Sequence, residues 1–382
     1  MKKILALILV ITIIFALAAC EKEAESSIPV PPPNPSSSEP AEPAKPAIAK
    51  KVGISMPTQN LQRWEQDGLG LKDELEDAGY EVDLQFGGDN DIPTQVNQIE
   101  AMISGGCGVL VIAAIDGMAL TGVLEGAKAK EIPVIAYDRL IMGTDAISYY
   151  ASFNNYAVGD LQVNFILDAL GVENAEGSFN MELFTGDPGD SNIPFFYLGG
   201  MKVLQTYLDN GKLVVSSGQI ENHQAATDGW RTDKAQERMK ELISSQGYGP
   251  NGKKLDAVWC INDSIARGVT EALLDAGYTA GENFPIITGQ DCDLDTVKNI
   301  LAGTQSMSIF KDTRDLVSRT VTMINSIMNG EEPEVNDTDT YYNGYRENTI
   351  TSAYLCAPIA CTAENYKELL IESGYYTEEE LK

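Results

Sequence analysis

The stretch VLVIAAIDGMALTGVLEGAKAKEIPVIAYDRLI, residues 109–141, carries the clearest signal of fold. A short, wholly apolar run, VLVIAA, passes through the amphipathic GMALTGVLEGAKAKE into a second apolar run, IPVIAY. Two apolar strands separated by one helix of that length form a βαβ crossover, and such crossovers make a parallel sheet covered on both faces. The second strand then meets Asp138 and Arg139, two charges side by side where a buried strand ends.

On either side the same alternation fills the chain. Upstream lie KVGIS, LQRWEQDGLGLKDELEDAG, EVDLQF and IPTQVNQIEAMISGG. Downstream the pattern begins again with ENAEGSFNMELFTG, IPFFYLGGMKVLQTYLDNG, KLVVSSG, ATDGWRTDKAQERMKELISS, LDAVWCIND, SIARGVTEALLDAG, FPIITGQD and LDTVKNILAG. This predicts an α/β fold of two similar halves. In open parallel sheets ligands gather outside the carboxyl ends of the strands. The polar residues there are Arg63, Trp64, Asp116, Asp138 and Arg139 in the first half, and Asp187, Asp190, Asn192, Asn262, Asp263, Gln290 and Asp291 in the second.

The amino terminus reads differently. Lys2 and Lys3, an apolar run from Ile4 to Leu17, and LAAC ending at Cys20 describe a bacterial lipoprotein signal peptide over residues 1–19, with Cys20 as the lipidated first mature residue. Residues 20–48, rich in Pro, Ser and Glu, read as a tether that cannot bury enough surface to fold. The formal charge is −29, and removal of residues 1–19 with their two lysines leaves −31. So acidic a chain repels phosphate backbones and anionic lipid, which excludes nucleic acid and leaves the amino-terminal lipid as the only membrane contact.

Several chemistries find no support. With His223 as the only histidine, imidazole catalysis and multi-histidine zinc sites have almost nothing to use. DCDLD opens like a calcium loop at Asp291, Asp293 and Asp295, but Thr296 stands where Gly belongs and Ala302 where Glu belongs. GYGPNGKK, from Gly247, lacks the hydroxyl residue and preceding strand of a phosphate loop. No metal or other cofactor is expected. Beyond Cys20 the cysteines are 107, 260, 292, 356 and 361, an odd number, read as small buried residues; a Cys356–Cys361 pair is the alternative to Cys356 at a strand end and Cys361 in the turn after it.

The blocks VGISMPT, RW, VLVIAAIDG, VIAYDRLI, GQD, FKDTRDL, EPEVNDT and SGYYTEEEL succeed one another over nearly the whole chain after the tether. They resemble the multiple-sugar-binding receptors of the ChvE type and, more loosely, the D-xylose-binding protein, both type I periplasmic binding proteins. The resemblance implies two Rossmann-like lobes with parallel sheets, joined by a three-segment hinge and closing on one monosaccharide. The crossings are expected near Asn154–Tyr156, near Ile309–Lys311 and within residues 335–342. The first lobe would then comprise residues 49–154 plus 310–336, and the second residues 155–309 plus 337–382.

A pyranose offers hydroxyls that donate and accept, on a ring with apolar C–H faces. Carboxylates accept, guanidinium and ammonium donate, Asn does both, and aromatic rings lie against the faces. By resemblance, Arg63, Asp138 and Arg139 come from the first lobe, Asp190, Asn192, Trp230, Asn262 and Asp291 from the second, and Lys311 from just after a crossing. Trp64, Phe195 or Phe196 would supply the opposing face, whereas Trp259, in AVWC, reads as core. Asn262 and Asp291 also suit helix caps, and Asp138 with Arg139 suits a structural ion pair.

The implied function is an extracytoplasmic, lipid-anchored, monomeric receptor that delivers an aldose such as xylose, arabinose, glucose or galactose to the permease subunits of an ABC importer, and is no enzyme. The alternatives are a subunit presenting bound sugar to a membrane sensor or chemoreceptor, and a glycoside hydrolase using paired carboxylates.

Overall fold

The computed structural model describes residues 48–345 and 349–382. The signal peptide, Cys20 and all but the last residue of the tether lie outside the described residues.

The first lobe begins β1 (Lys51–Met56), α1 (Gln62–Asp77), β2 (Glu81–Phe86), α2 (Ile92–Ser104), β3 (Val109–Ile112), α3 (Thr121–Ala129), β4 (Val134–Tyr137) and β5 (Tyr149–Phe153). Every residue of β3 and β4 is buried, as a strand covered on both faces requires. Successive residues serve opposite faces: Val109, Val111 and Ala113 pack beneath α1, and Leu110, Ile112 and Ala114 belong to the apolar layer that contains Leu124 of α3.

From β5 the chain enters α4 (Asn155–Leu170) and builds the second lobe with β6 (Phe179–Phe184), α5 (Ile193–Asp209), β7 (Leu213–Val215), α6 (Thr232–Gln246), β8 (Ala257–Cys260), α7 (Asp263–Asp275), β9 (Ile286–Ile287), α8 (Leu294–Ala302) and β10 (Ser308–Phe310). Helices α4 and α5 meet backbone to backbone. A β-carbon on Gly159 would come 1.9 Å from the Phe196 carbonyl oxygen, so only glycine permits this approach. The chain then returns as α9 (Thr313–Met328), which packs on α1, and continues to β11 (Ala353–Cys356) and β12 (Ile359–Cys361).

Among the described residues the first sheet runs β11-β5-β4-β3-β1-β2 and the second β7-β6-β8-β9, every pairing in both parallel. Chain order reverses at β1 in the first sheet and at β6 in the second, and these reversals are where loops diverge to leave a crevice.

One boundary differs from expectation. The third crossing, expected within residues 335–342, lies between Cys356 and Ile359. Residues 336 and 337 bond to Ala353, the Asn343 amide donates to the Thr144 carbonyl at 2.9 Å, and β11 lies parallel to β5 in the first sheet. Without β11, β5 would present an unpaired edge, and the returning chain satisfies its backbone groups before leaving. Only then does β12 pair antiparallel with β10 beside the second sheet. Residues 337–345 and 349–356 therefore belong with the first lobe. The five described cysteines are free and buried; Cys361 ends β12 instead of occupying a turn.

Candidate functional site

Leu61 caps α1 without a side-chain bond, which leaves Arg63 and Trp64 in its first turn, just beyond the end of β1. Asp138 and Arg139 come directly after β4. The Asp138 backbone is left-handed, at φ 59°, and is pinned there because its carbonyl accepts from Tyr150 Oη, Ser152 Oγ and Asn192 Nδ2 at 2.7, 2.8 and 2.9 Å. Arg139 Nη1 donates to the Ala114 carbonyl at the end of β3 at 3.0 Å, and its Nε lies 2.8 Å from Asp190 Oδ2.

The second lobe supplies the facing wall. Asn192 stands at the start of α5 without capping it, so its amide is free to reach Asp138 Oδ1 at 3.2 Å. Trp230 closes a 3₁₀ turn, Asp228–Trp230, just before α6, with φ 58°. A β-carbon on Gly186 would come 2.2 Å from its indole, so the ring lies flat against that glycine. Asn262 caps α7, accepting from the Ile265 N–H at 3.1 Å, and borders the cavity as well. Asp291 caps nothing; its φ of 99° turns the carboxylate to within 2.9 Å of Lys311 Nζ.

These side chains converge on a cavity of about 30 Å³ between the lobes, lined by every expected residue except Phe195, together with Leu61 and Gln290. Phe195 is displaced because neighbouring helical residues point about 100° apart. While Phe196 borders the cavity, the Phe195 ring packs edge-on to Tyr156 and Tyr341 at 5.4 and 4.8 Å. Trp64 serves the cations more than a ligand face, with the Arg63 and Arg139 guanidinium carbons 4.4 and 5.1 Å from its ring centre. Trp259, as expected, is core, its indole N–H bonded to Gln162 at 2.8 Å.

Of the side chains that line the cavity, Arg63, Arg139 and Lys311 are cations and Asp138, Asp190 and Asp291 are carboxylates. Arg63 Nη1 lies 2.9 Å from Asp138 and 3.7 Å from Asp291. Burial pushes the Asp138 carboxyl up, but Arg63, Lys311 and Arg139 outweigh it and hold the group below its ordinary range. Burial prevails at Asp190, which is raised in spite of Arg139. Trp64 Nε1, Trp230 Nε1 and Gln290 Oε1 are buried without a hydrogen-bond partner, a polar demand that a hydroxylated ligand suits.

Sequence reasoning passed over Asp67, fully buried behind the cavity and bonded to Arg63 at 2.6 Å. The signal was available, since residues four apart on a helix face each other. It also left Gln290 among strand-end residues without assigning it to the site. The DCDLD carboxylates divide: Asp291 faces the cavity and Asp293 pairs with Arg267 at 2.7 Å.

Residues 52–332 match the family described as periplasmic binding protein domain. Over 89% of this chain and 94% of the relative, the sequence is 47% identical to the multiple sugar-binding periplasmic receptor ChvE of Rhizobium radiobacter. It is 34% identical to the D-xylose-binding periplasmic protein of Escherichia coli, over 87% of this chain and 92% of the relative. A crystal structure of an ABC transporter solute binding protein from Clostridium phytofermentans with bound β-D-glucose is 57% identical, with a TM-score of 0.82, covering 87% of this chain and all of that one. With parallel sheets in two lobes and a charged cavity between them, the chain belongs to the periplasmic binding protein family, among its sugar-binding members.

Proposed function

We propose that this chain is an extracytoplasmic receptor that closes its two lobes on one aldose, with glucose the first to test, and delivers it to an ABC importer without transforming it. The observation that carries this reading is the ionic network spanning the lobes, Arg63, Asp138 and Arg139 facing Asp190, Asn192 and Asp291. Each carboxylate retains acceptor capacity and each guanidinium retains donors, so sugar hydroxyls can exchange for one arm of an ion pair without stranding the other. Trp230 and Phe196 offer apolar surface for the C–H faces.

The cavity of about 30 Å³ falls well below the few hundred Å³ of ordinary small-molecule sites, so the lobes open to admit the ring. Closure then excludes water, and the sugar shifts the open–closed balance by its preference for the closed form. The relative crystallised with β-D-glucose and the one named for multiple sugars support a monosaccharide ligand. Attachment through lipid at Cys20 rests on LAAC alone.

Calorimetry with glucose, galactose, xylose, arabinose and ribose, beside an aryl glycoside, tests the reading. Binding of at least one free aldose without turnover of the glycoside is the expected result. Failure of every aldose to bind, or release of the aryl group, sinks it.

A further inference from the structure

Asp67 does not touch the cavity, and its side chain is shut away from solvent on α1, one turn after Arg63. A carboxylate that deep needs a partner. Arg63 Nη2 donates to its Oδ2 at 2.6 Å, closer than Nη1 approaches either Asp138 or Asp291. The guanidinium donors share one rigid plane, so a bond that fixes Nη2 from behind also fixes where Nη1 points. The other carboxylate oxygen, Oδ1, makes no hydrogen bond. Among the described residues the Asp67 side chain caps no helix and hydrogen-bonds only to Arg63.

We propose that Asp67 is the positioning residue for sugar recognition: in its ionised form it holds Arg63 with Nη1 turned into the cavity, and its charge sets affinity. This rests on the reading of the cavity as a sugar site. Protonated, Asp67 would loosen its hold, and Arg63 would fall further into its ion pairs with Asp138 and Asp291, away from a hydroxyl.

The groups facing Asp67 are Arg63 from its own helix, Tyr137 and Asp138 at the end of β4, Lys311 after β10, and Tyr375 in the carboxyl-terminal segment. Burial, opposed by Arg63, raises Asp67 to about 6. Burial drives Tyr137 and Tyr375 far above the neutral range, and cations hold Asp138 low. Asp190 is raised too, but its partner is Arg139, so a change at Asp67 separates the two.

The test is glucose calorimetry on wild type, Asp67→Asn and Asp67→Glu at about pH 5 and about pH 7.5, with thermal melts to establish folding. Wild type is expected to bind about tenfold more tightly at the higher pH. Asp67→Asn is expected to bind at both with the weaker affinity, and Asp67→Glu to restore part of the affinity and its pH dependence. Asp67→Asn with wild-type affinity, or with the wild-type pH profile, overturns the proposal. Should Asp67→Asn not fold, the wild-type profile and Asp67→Glu decide, and equal wild-type affinity at both pH values overturns the proposal while leaving the sugar site standing. A wild type that binds no aldose at either pH removes the sugar-site reading and this proposal with it.

Discussion

Asp138, Trp230 and Asp291 border the same cavity, and all three hold positive φ, at 59, 58 and 99°. Each such residue costs about 1–3 kcal/mol and persists only where its surroundings over-determine it. At Asp138 three donors on one carbonyl do so. Truncating a charged partner inside a closed site strands the groups it served, so Arg139→Ala and Asp291→Ala should each weaken glucose binding about ten- to a thousandfold. Asp293→Ala, whose carboxylate pairs with Arg267 instead, should change it little; equal losses at 291 and 293 in calorimetry would count against Asp291 as a contact. Stability should show the opposite preference at Asp67. A folded-state pKa raised to about 6 means stability present at low pH is lost as pH rises through that value. Going from about pH 4 to about pH 7.5, the unfolding free energy of Asp67→Asn should gain on wild type by about 2–3 kcal/mol. A difference that stays flat with pH would show that Asp67 is ionised throughout. The carboxylate thus trades stability for placement of Arg63.

Among the elements, the site depends on the few residues just past each strand. Gly186, two residues past the end of β6, gives the Trp230 indole a flat seat, and a β-carbon there would come 2.2 Å from the ring. Gly186→Ala should therefore tilt the indole, shift tryptophan emission and reduce sugar affinity by tenfold or more, on the order of one lost contact. Unchanged emission and affinity would mean that the ring has room the geometry denies it. Helix α1 joins the lobes at its own end: Gln62 Nε2 donates to Tyr376 Oη at 2.8 Å, and Tyr376 packs with Phe310 and Leu370 beside the second sheet. The carboxyl-terminal segment, packed on Phe310 at the end of β10, thus meets the helix that carries Arg63.

For the molecule as a whole the observable is compaction. Leu61 packs against the apolar cores of both lobes, and Asn192 bonds to Asp138 across the cleft. Separation of the lobes breaks both contacts, so saturating glucose should reduce the scattering radius of gyration slightly, and Trp230→Ala should lose most of the emission change along with affinity. Tight binding with an unchanged scattering profile would mean that the lobes are not hinged about the ligand. Membrane attachment tests separately: Cys20→Ser should move the protein to the soluble fraction with unaltered sugar affinity, and continued membrane association would reject lipid at Cys20.

The α/β class and the doubled architecture were legible in the sequence, because apolar runs such as VLVI and VIAY and the helices between them are local patterns whose periods differ. So were Asp138, Arg139, Asn262 and Asp291, since charge or amide at a strand end is visible in one dimension. Strands β5 and β11 went unread: YYASF and AYLC are short, and their pairing joins segments some two hundred residues apart. The third crossing was misplaced for that reason, as was Phe195, whose single residue of helical rotation turns it from Phe196's cavity to an aromatic cluster. Only folding in three dimensions put Asp67 behind Arg63, left three cavity residues left-handed, and brought cations and carboxylates from two lobes together. Coulomb energy and burial depend on distances through space, and those distances exist only once the chain has folded.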